Sequence, residues 1–330
     1  MLRKYALFVG VAALGALVTS CGGDDTGTPS PTPTSSGTAT PTPTPTQAQV
    51  DFDLQQDFST QSSNANYAFA FFTPDAGGDE TFSGASRLNG AASISLALSP
   101  EVASFTFVDL PDPVTFDATD LATASPTVRS YARGSEKLVL ELPYDHVLRV
   151  SYESEADFTQ GTTEGVLRGE RTSIFFNRPT VTTAISSDLA YTGSVEVVGG
   201  DPGTTLAGVI SAPDVTFTIK EADESVNGTI EIFRQVNGSP VLVATLVFQR
   251  TTNSSGGVTG GVLNDAESFA GILTDADNNF AGNFAGSISG PNREELFIIF
   301  SISGTTDADN DGTVDADDDR RFVGSFIGKR

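Results

Sequence analysis

The chain of 330 residues contains one cysteine, one histidine, one methionine and no tryptophan. A lone cysteine, Cys21, rules out a disulfide within the chain, so thiol chemistry does not hold the fold together. A lone histidine, His146, excludes His–His metal pairs within one chain and leaves little for a nucleophile–base arrangement. It follows Leu142-Pro143-Tyr144-Asp145, and we read it as part of a turn leading into a strand. No nucleophile elbow, dinucleotide fingerprint or phosphate-binding loop occurs. We therefore read the chain as a non-enzyme. Bases are scarce as well: 18 Lys and Arg face 42 Asp and Glu, for a formal net charge of −24. That excludes nucleic acid as a partner and excludes charge-driven adhesion to anionic lipid, both of which need a basic footprint. Long apolar runs are missing except for one, Ala6 to Val18, which has signal-peptide length and is too short for a transmembrane helix.

What surrounds that run is informative. Arg3 and Lys4 precede it, and it leads into Leu17-Val18-Thr19-Ser20-Cys21. This pentapeptide resembles the lipobox of bacterial lipoproteins, in which a lipid joins the cysteine thiol and the chain is cut just before it. The resemblance implies that residues 1–20 are removed, that Cys21 carries a covalent lipid, and that the chain is tied to a membrane through it. An ordinary secretory signal beside a free cysteine is the alternative. Gly22 follows Cys21, where an Asp would signal inner-membrane retention in enterobacterial relatives, so the outer membrane is expected. Loss of residues 1–20 takes away two bases and no acid, and the net charge becomes −26.

Residues 21–50 comprise the cysteine and a linker dominated by Gly, Asp, Ser, Pro and Thr, with Pro–Thr alternation from Pro41 to Thr46. Nothing in it seeds a core. Its prolines favour an extended form with a reach of roughly 80 Å at ~3.1 Å per residue.

Beyond Val50 the periodicity is two, the period of half-buried strands. Ser93 to Ser99 alternates without a break, Leu138, Leu140 and Leu142 share one face, and Val215, Phe217 and Ile219 share another. Turn clusters such as Asp75-Ala76-Gly77-Gly78 and Asn237-Gly238 separate the runs. The expected fold class is all-β, with a domain boundary near Pro179 because proline cannot donate to a sheet ladder. Residues 51–180 are expected to form a handle-like β domain of about eight strands, around Tyr67–Phe72, Ile94–Leu98, Phe105–Val108, Leu138–Leu142, Val147–Tyr152 and Ile174–Phe176. Residues 181–330 are expected to form an eight-stranded antiparallel up-and-down β-barrel. Its expected strands are Tyr191–Val198, Val215–Lys220, Thr229–Arg234, Val241–Gln249, Val258–Leu263, Phe280–Ile288, Leu296–Ile302 and Phe322–Ile327. Phe284, Phe300 and Phe326 are expected to fill the interior.

Three segments carry a family resemblance. Phe280-Ala281-Gly282-Asn283-Phe284-Ala285-Gly286, then Gly290-Pro291-Asn292-Arg293-Glu294-Glu295-Leu296, then Gly324-Ser325-Phe326-Ile327-Gly328-Lys329-Arg330 resemble the last strands of the transferrin-binding protein B barrel. Phe175 to Thr180 with Tyr191-Thr192-Gly193 resembles the approach to that barrel. The sequence departs from the family at Phe297-Ile298-Ile299, where relatives have Gly-Gly after Leu, and at Ile327 in the closing motif. The resemblance implies a surface lipoprotein that binds an extracellular protein or solute, without selecting which.

Asp307, Asp309, Asp311, Thr313, Asp315 and Asp318 have the spacing of a calcium loop, with Gly312 at the sharp turn. Oxygens at alternate positions converge, and Ca²⁺ is the cation that six or seven such oxygens suit. Asp318 stands where such loops carry Glu, so weak affinity is expected; a merely acidic surface loop is the alternative. Asp275-Ala276-Asp277-Asn278-Asn279 repeats the opening without a glycine and reads as a hairpin turn. Two functions remain in view. One is an outer-membrane lipoprotein binding an extracellular protein or solute. The other is a structural envelope protein stabilised by Ca²⁺, with no dedicated ligand.

Overall fold

The computed structural model describes residues 52–203, 210–304 and 320–330. The described residues are all β, without a helix, and the ladders are antiparallel. No helix among them is long and apolar enough to cross a membrane.

The first half supplies β1 (Phe58–Ser63), β2 (Ala65–Pro74), β3 (Thr81–Leu88), β4 (Ala92–Leu98), β5 (Glu101–Thr106) and β6 (Val114–Asp117). It continues with β7 (Leu121–Ala124), β8 (Val128–Arg133), β9 (Glu136–Glu141), β10 (Val147–Gln160) and β11 (Thr163–Phe176). They form a four-stranded sheet in the order β1-β4-β5-β6 and a seven-stranded sheet in the order β3-β2-β11-β10-β9-β8-β7. Strict alternation makes each strand two-faced. Ile94 and Leu96 of β4, Phe105 of β5, Leu138 and Leu140 of β9 and Val150 of β10 point into one buried cluster between these sheets.

The second half supplies β12 (Leu189–Gly200), β13 (Ile210–Ser211), β14 (Val215–Ile219), β15 (Val226–Val236), β16 (Ser239–Phe248), β17 (Thr251–Thr252) and β18 (Val258–Gly260). Then come β19 (Ser268–Asp275), β20 (Phe280–Ser289), β21 (Glu295–Gly304) and β22 (Arg321–Lys329). Apart from the small β17–β18 pair, these make one sheet. It runs from β16 through β15, β14, β12, β22, β21 and β20 to β19, with β13 also on β15. The last strand lies beside the first, with Val195 opposite Phe326. Phe284, Phe300 and Phe326 are fully buried on one face with Phe217 and Phe248, as expected. Phe248 of edge strand β16 packs 4.9 Å from Phe284 of β20 and 6.3 Å from Phe300 of β21, so the sheet curls far enough to bring distant strands together. No ladder joins β16 to β19 among the described pairings; Thr245 N–H donates instead to the Asp275 carboxylate at 2.7 Å.

The strand at Val258–Leu263 is corrected: only Val258–Gly260 is extended, in a pair with Thr251–Thr252. The remaining place in the sheet belongs to Ser268–Asp275, which pairs along its whole length with β20. Its pattern misleads because Ile272 is 60% exposed while Asp275 is buried. The turn at Asp275–Asn279 is the β19–β20 connection, with Asn279 at φ 56°.

A third cluster joins the two halves. Tyr67, Phe69 and Phe71 of β2 and Ile174 of β11 meet Phe297 and Ile299 of β21 and Val323 and Ile327 of β22. Leu296, Ile298 and Phe300 face the inner cluster, so β21 is apolar on both sides. This explains the departures at Phe297-Ile298-Ile299 and Ile327: their outward side chains are covered by the seven-stranded sheet. A strand buried on both faces reads as an unbroken apolar run.

Candidate functional site

Where β2 and β3 leave the outer face of the C-terminal sheet, the covering is incomplete. A groove of about 520 Å³ remains. Ala65, Phe269, Ala285, Phe297 and Ile299 supply its apolar lining, and Asn64, Asn89 and Asn264 its amides. Arg87 and Arg178 also line it, and none of the seventeen lining residues is acidic.

The strand code places these groups. Phe82 and Ala85 of β3 join the cluster between the halves, and Arg87, two residues beyond Ala85, extends the same face to its margin. Arg87 Nη1 donates to Asn283 Oδ1 at 2.5 Å on β20. Partial burial pulls the Arg87 guanidinium below its ordinary value. Phe176, at the end of β11, packs 4.8 Å from Phe297, and the Arg178 guanidinium lies 5.7 Å over the Phe176 ring. A second hollow of about 500 Å³ shares Arg178 and Ala266 and adds Thr180, Asp265, Glu267 and Arg293. Arg293 is committed to Glu267, with contacts at 2.9 Å, and to the Thr183 carbonyl at 2.9 Å.

Beside the groove a polar knot ties the halves together. The Glu295 carboxylate is 2% exposed and accepts the N–H groups of Asp145 and His146 at 2.8 and 3.0 Å. Burial pushes the Glu295 carboxyl up. The Ser289 hydroxyl reaches the carbonyls of His146 and Asn177 at 2.9 and 2.8 Å. His146 therefore sits in the turn before β10, as expected, and its backbone does the tying. Two buried atoms here, His146 Nδ1 and Asn177 Nδ2, have no hydrogen-bond partner. Farther along the interface, the Tyr67 hydroxyl meets Ser325 Oγ at 3.3 Å, and burial pushes that phenol up to about 12. Arg149 joins Glu141 at 2.6 Å and also pairs with Glu196 across the halves.

Cys21 and the acidic positions Asp307, Asp309, Asp311, Thr313, Asp315 and Asp318 lie outside the described residues. Among the described residues, no group of three or more His, Cys, Asp or Glu side chains is placed to hold a metal ion. Sequence reasoning missed Arg87. The available signal was a cation at an inward position of a strand whose preceding inward residues are apolar, but β3 itself was not anticipated.

No family model matches the chain, and no curated protein does. Solved structures do. The chain is structurally similar to isotype 1 transferrin-binding protein B from serogroup B Neisseria meningitidis, at 10% identity and TM-score 0.34, over 76% of this chain and 53% of that one. It thus spans about half the length of the meningococcal protein. The N-lobe of lactoferrin-binding protein B of Moraxella bovis matches at 11% identity and TM-score 0.31, over 59% of this chain and 80% of that one. A transferrin-binding protein B mutant from Haemophilus parasuis matches at 9% identity and TM-score 0.30, over 82% and 76%. The structural similarity is thus to bacterial transferrin- and lactoferrin-binding proteins.

Proposed function

We propose that this chain is a lipid-anchored outer-membrane protein, facing the exterior, that binds an extracellular protein or solute and catalyses nothing. One observation carries the reading: a groove without a single acidic residue in its lining, in a chain of net charge −24. The adjoining hollow, by contrast, is lined by Asp265 and Glu267. The lipobox ending at Cys21 supports the anchor, and the Pro–Thr linker supports a stand-off from the membrane. The neighbours named above bind transferrin and lactoferrin by their names; neither is assigned to this chain.

The reading includes an eight-stranded barrel for residues 181–330. Its support is the pairing of the first strand with the last and the aromatic contacts across the curled sheet, with Asp275 bridging the one seam that lacks a ladder. Eight strands enclose about the space that side chains can fill. It also includes a weak Ca²⁺ site at Asp307–Asp318, supported by ligand spacing alone.

Protease treatment of intact cells tests the function. Cleavage within Pro41–Thr46, releasing the folded part into the medium, is the expected result. A chain that resists until the outer membrane is permeabilised overturns the exterior-facing reading and leaves the structural envelope role.

A further inference from the structure

We propose that the groove binds a small amphiphilic carboxylic acid, with Arg87 as counter-ion and the Phe297–Ile299 wall as the bed for its apolar part. The proposal rests on the binding-protein reading and gives it a ligand class.

Arg87 is the starting point. Eight other arginines, from Arg129 to Arg293, each pair with a carboxylate. Arg87 pairs with none among the described residues; its one side-chain bond goes to a neutral amide oxygen. A guanidinium has five donors in a fork that matches a carboxylate, and a partly buried cation without an anion is an unfavourable arrangement that an incoming anion relieves. In so acidic a chain a carboxylate partner was easy to supply, yet the lining has none.

The surroundings narrow the anion. Asn64 and Asn89 add neutral hydrogen-bonding amides to the lining, and the phosphate arm of the titration below separates one negative charge from two. The aromatic and aliphatic lining favours an attached hydrocarbon part. A volume of about 520 Å³ lies within the range of small-molecule sites and is far too small for a folded partner.

Calorimetric titration of the full chain with hexanoate, at low salt, tests the proposal, with hexanamide, acetate and inorganic phosphate as parallel arms. Hexanoate should saturate a single site and bind more tightly than the other three. Losing a charge-assisted bond corresponds to about tenfold or more in affinity, so Arg87→Gln should weaken hexanoate by that factor and Arg87→Lys by less. Ala285→Leu narrows the groove without touching the charge and should weaken it as well. It decides the matter if Arg87→Gln does not fold. No saturable hexanoate binding, equal binding of hexanamide, tighter binding of phosphate, or unchanged binding in the folded variants would each overturn the proposal. Protease release from intact cells is independent of these titrations, so the site can fail while the exterior binding protein stands.

Discussion

The cluster between the first two sheets and the cluster inside the C-terminal sheet are made from the same alternating strands, yet they treat charge differently. The first admits a buried ion group. Arg129 donates to Glu101 at 2.7 and 2.6 Å, to the Leu54 carbonyl at 2.8 Å and to the Tyr131 hydroxyl at 3.0 Å. Both ionic side chains are about one-tenth exposed, at 9% and 10%. The second cluster has aromatic rings in that role, with Phe217 4.7 Å from Phe326 and 5.0 Å from Phe248. The reason lies in what fixes each arrangement. Sheets stacked face to face share no backbone ladder, and apolar packing alone is non-directional, so side-chain bonds between them fix their register. Glu101 stands on β5 in one sheet and Arg129 on β8 in the other, so their bond sets how the sheets lie on each other. In the C-terminal sheet, ladders join successive strands from β16 to β19 among the described residues, and the buried face needs mainly to be filled.

The largest effect expected from breaking this contrast is at Phe284. It is fully buried among Phe248 and Phe269, and Phe284→Ala should cost about 3–5 kcal/mol of stability through lost burial and the cavity left behind. Urea unfolding measures it. A loss below about 1 kcal/mol would mean the aromatic interior collapses freely and is not close-packed.

A smaller effect is expected at Glu101→Gln, about 2–3 kcal/mol, because Arg129 loses its counter-charge but keeps an oxygen to bond. The pH dependence sharpens the test. The hydrogen bond from Arg129 holds the Glu101 carboxyl below its ordinary 4.5. Its contribution is therefore complete above that value and lost as pH falls through the lowered folded value. Glu295 has the opposite sign: burial raises its pKa, so its contribution is complete below 4.5 and lost as pH rises through the raised value. Glu101→Gln should flatten the acid limb of a stability–pH profile, and Glu295→Gln should remove a decline on the rising side. Parallel profiles for both variants would show that neither carboxylate is the titrating group.

How much of this was legible in the sequence follows from which neighbours each residue needed. Strands with a clean two-residue period and a single buried face, such as Ala92–Leu98 and Val215–Ile219, were readable because their pattern is local. Strand β7 was not: three of its four residues, Ala122, Thr123 and Ala124, are exposed and none is buried. The hairpin of β10 and β11 runs past Tyr152 to Gln160 and back from Thr163, through residues such as Glu153 and Asp157 that lack an apolar face, and only the ladder reveals it. Strand β19 failed for the related reason that its inward Asp275 serves a bond to Thr245, thirty residues earlier. The groove was the least readable feature. Arg87 meets Asn283 across 196 residues, and no spacing rule connects them. The lipobox-like pentapeptide and the acidic loop stand out as sequence patterns because their residues are contiguous.

The smallest effect concerns that loop, and it sharpens the contrast by asking whether the C-terminal sheet draws on a cation at its margin as well as on the buried Asp275 carboxylate. The acidic positions from Asp307 to Asp318 fall between β21 and β22, the strands joined by the pairing of Ser303 with Arg321. Carboxylates gathered without a cation repel one another, and Ca²⁺ binding draws the oxygens to about 2.3–2.6 Å. With Asp318 in place of Glu, the expected affinity is that of extracellular modules, about 10⁻⁴–10⁻³ M. At about 1 mM Ca²⁺, mass action then stabilises the folded state by about 0.4–1.4 kcal/mol, a rise of about 1–4 °C in Tm. Thermal melts of the full chain in EDTA and in millimolar CaCl₂ read that shift, and Asp309→Ala with Asp311→Ala should abolish it. Hydrogen exchange locates it: protection should increase at the β21–β22 pairing and stay constant around Arg129 and Glu101. Identical midpoints in the two buffers would reduce the loop to an acidic surface segment. A shift that survives the double substitution would place the calcium site elsewhere.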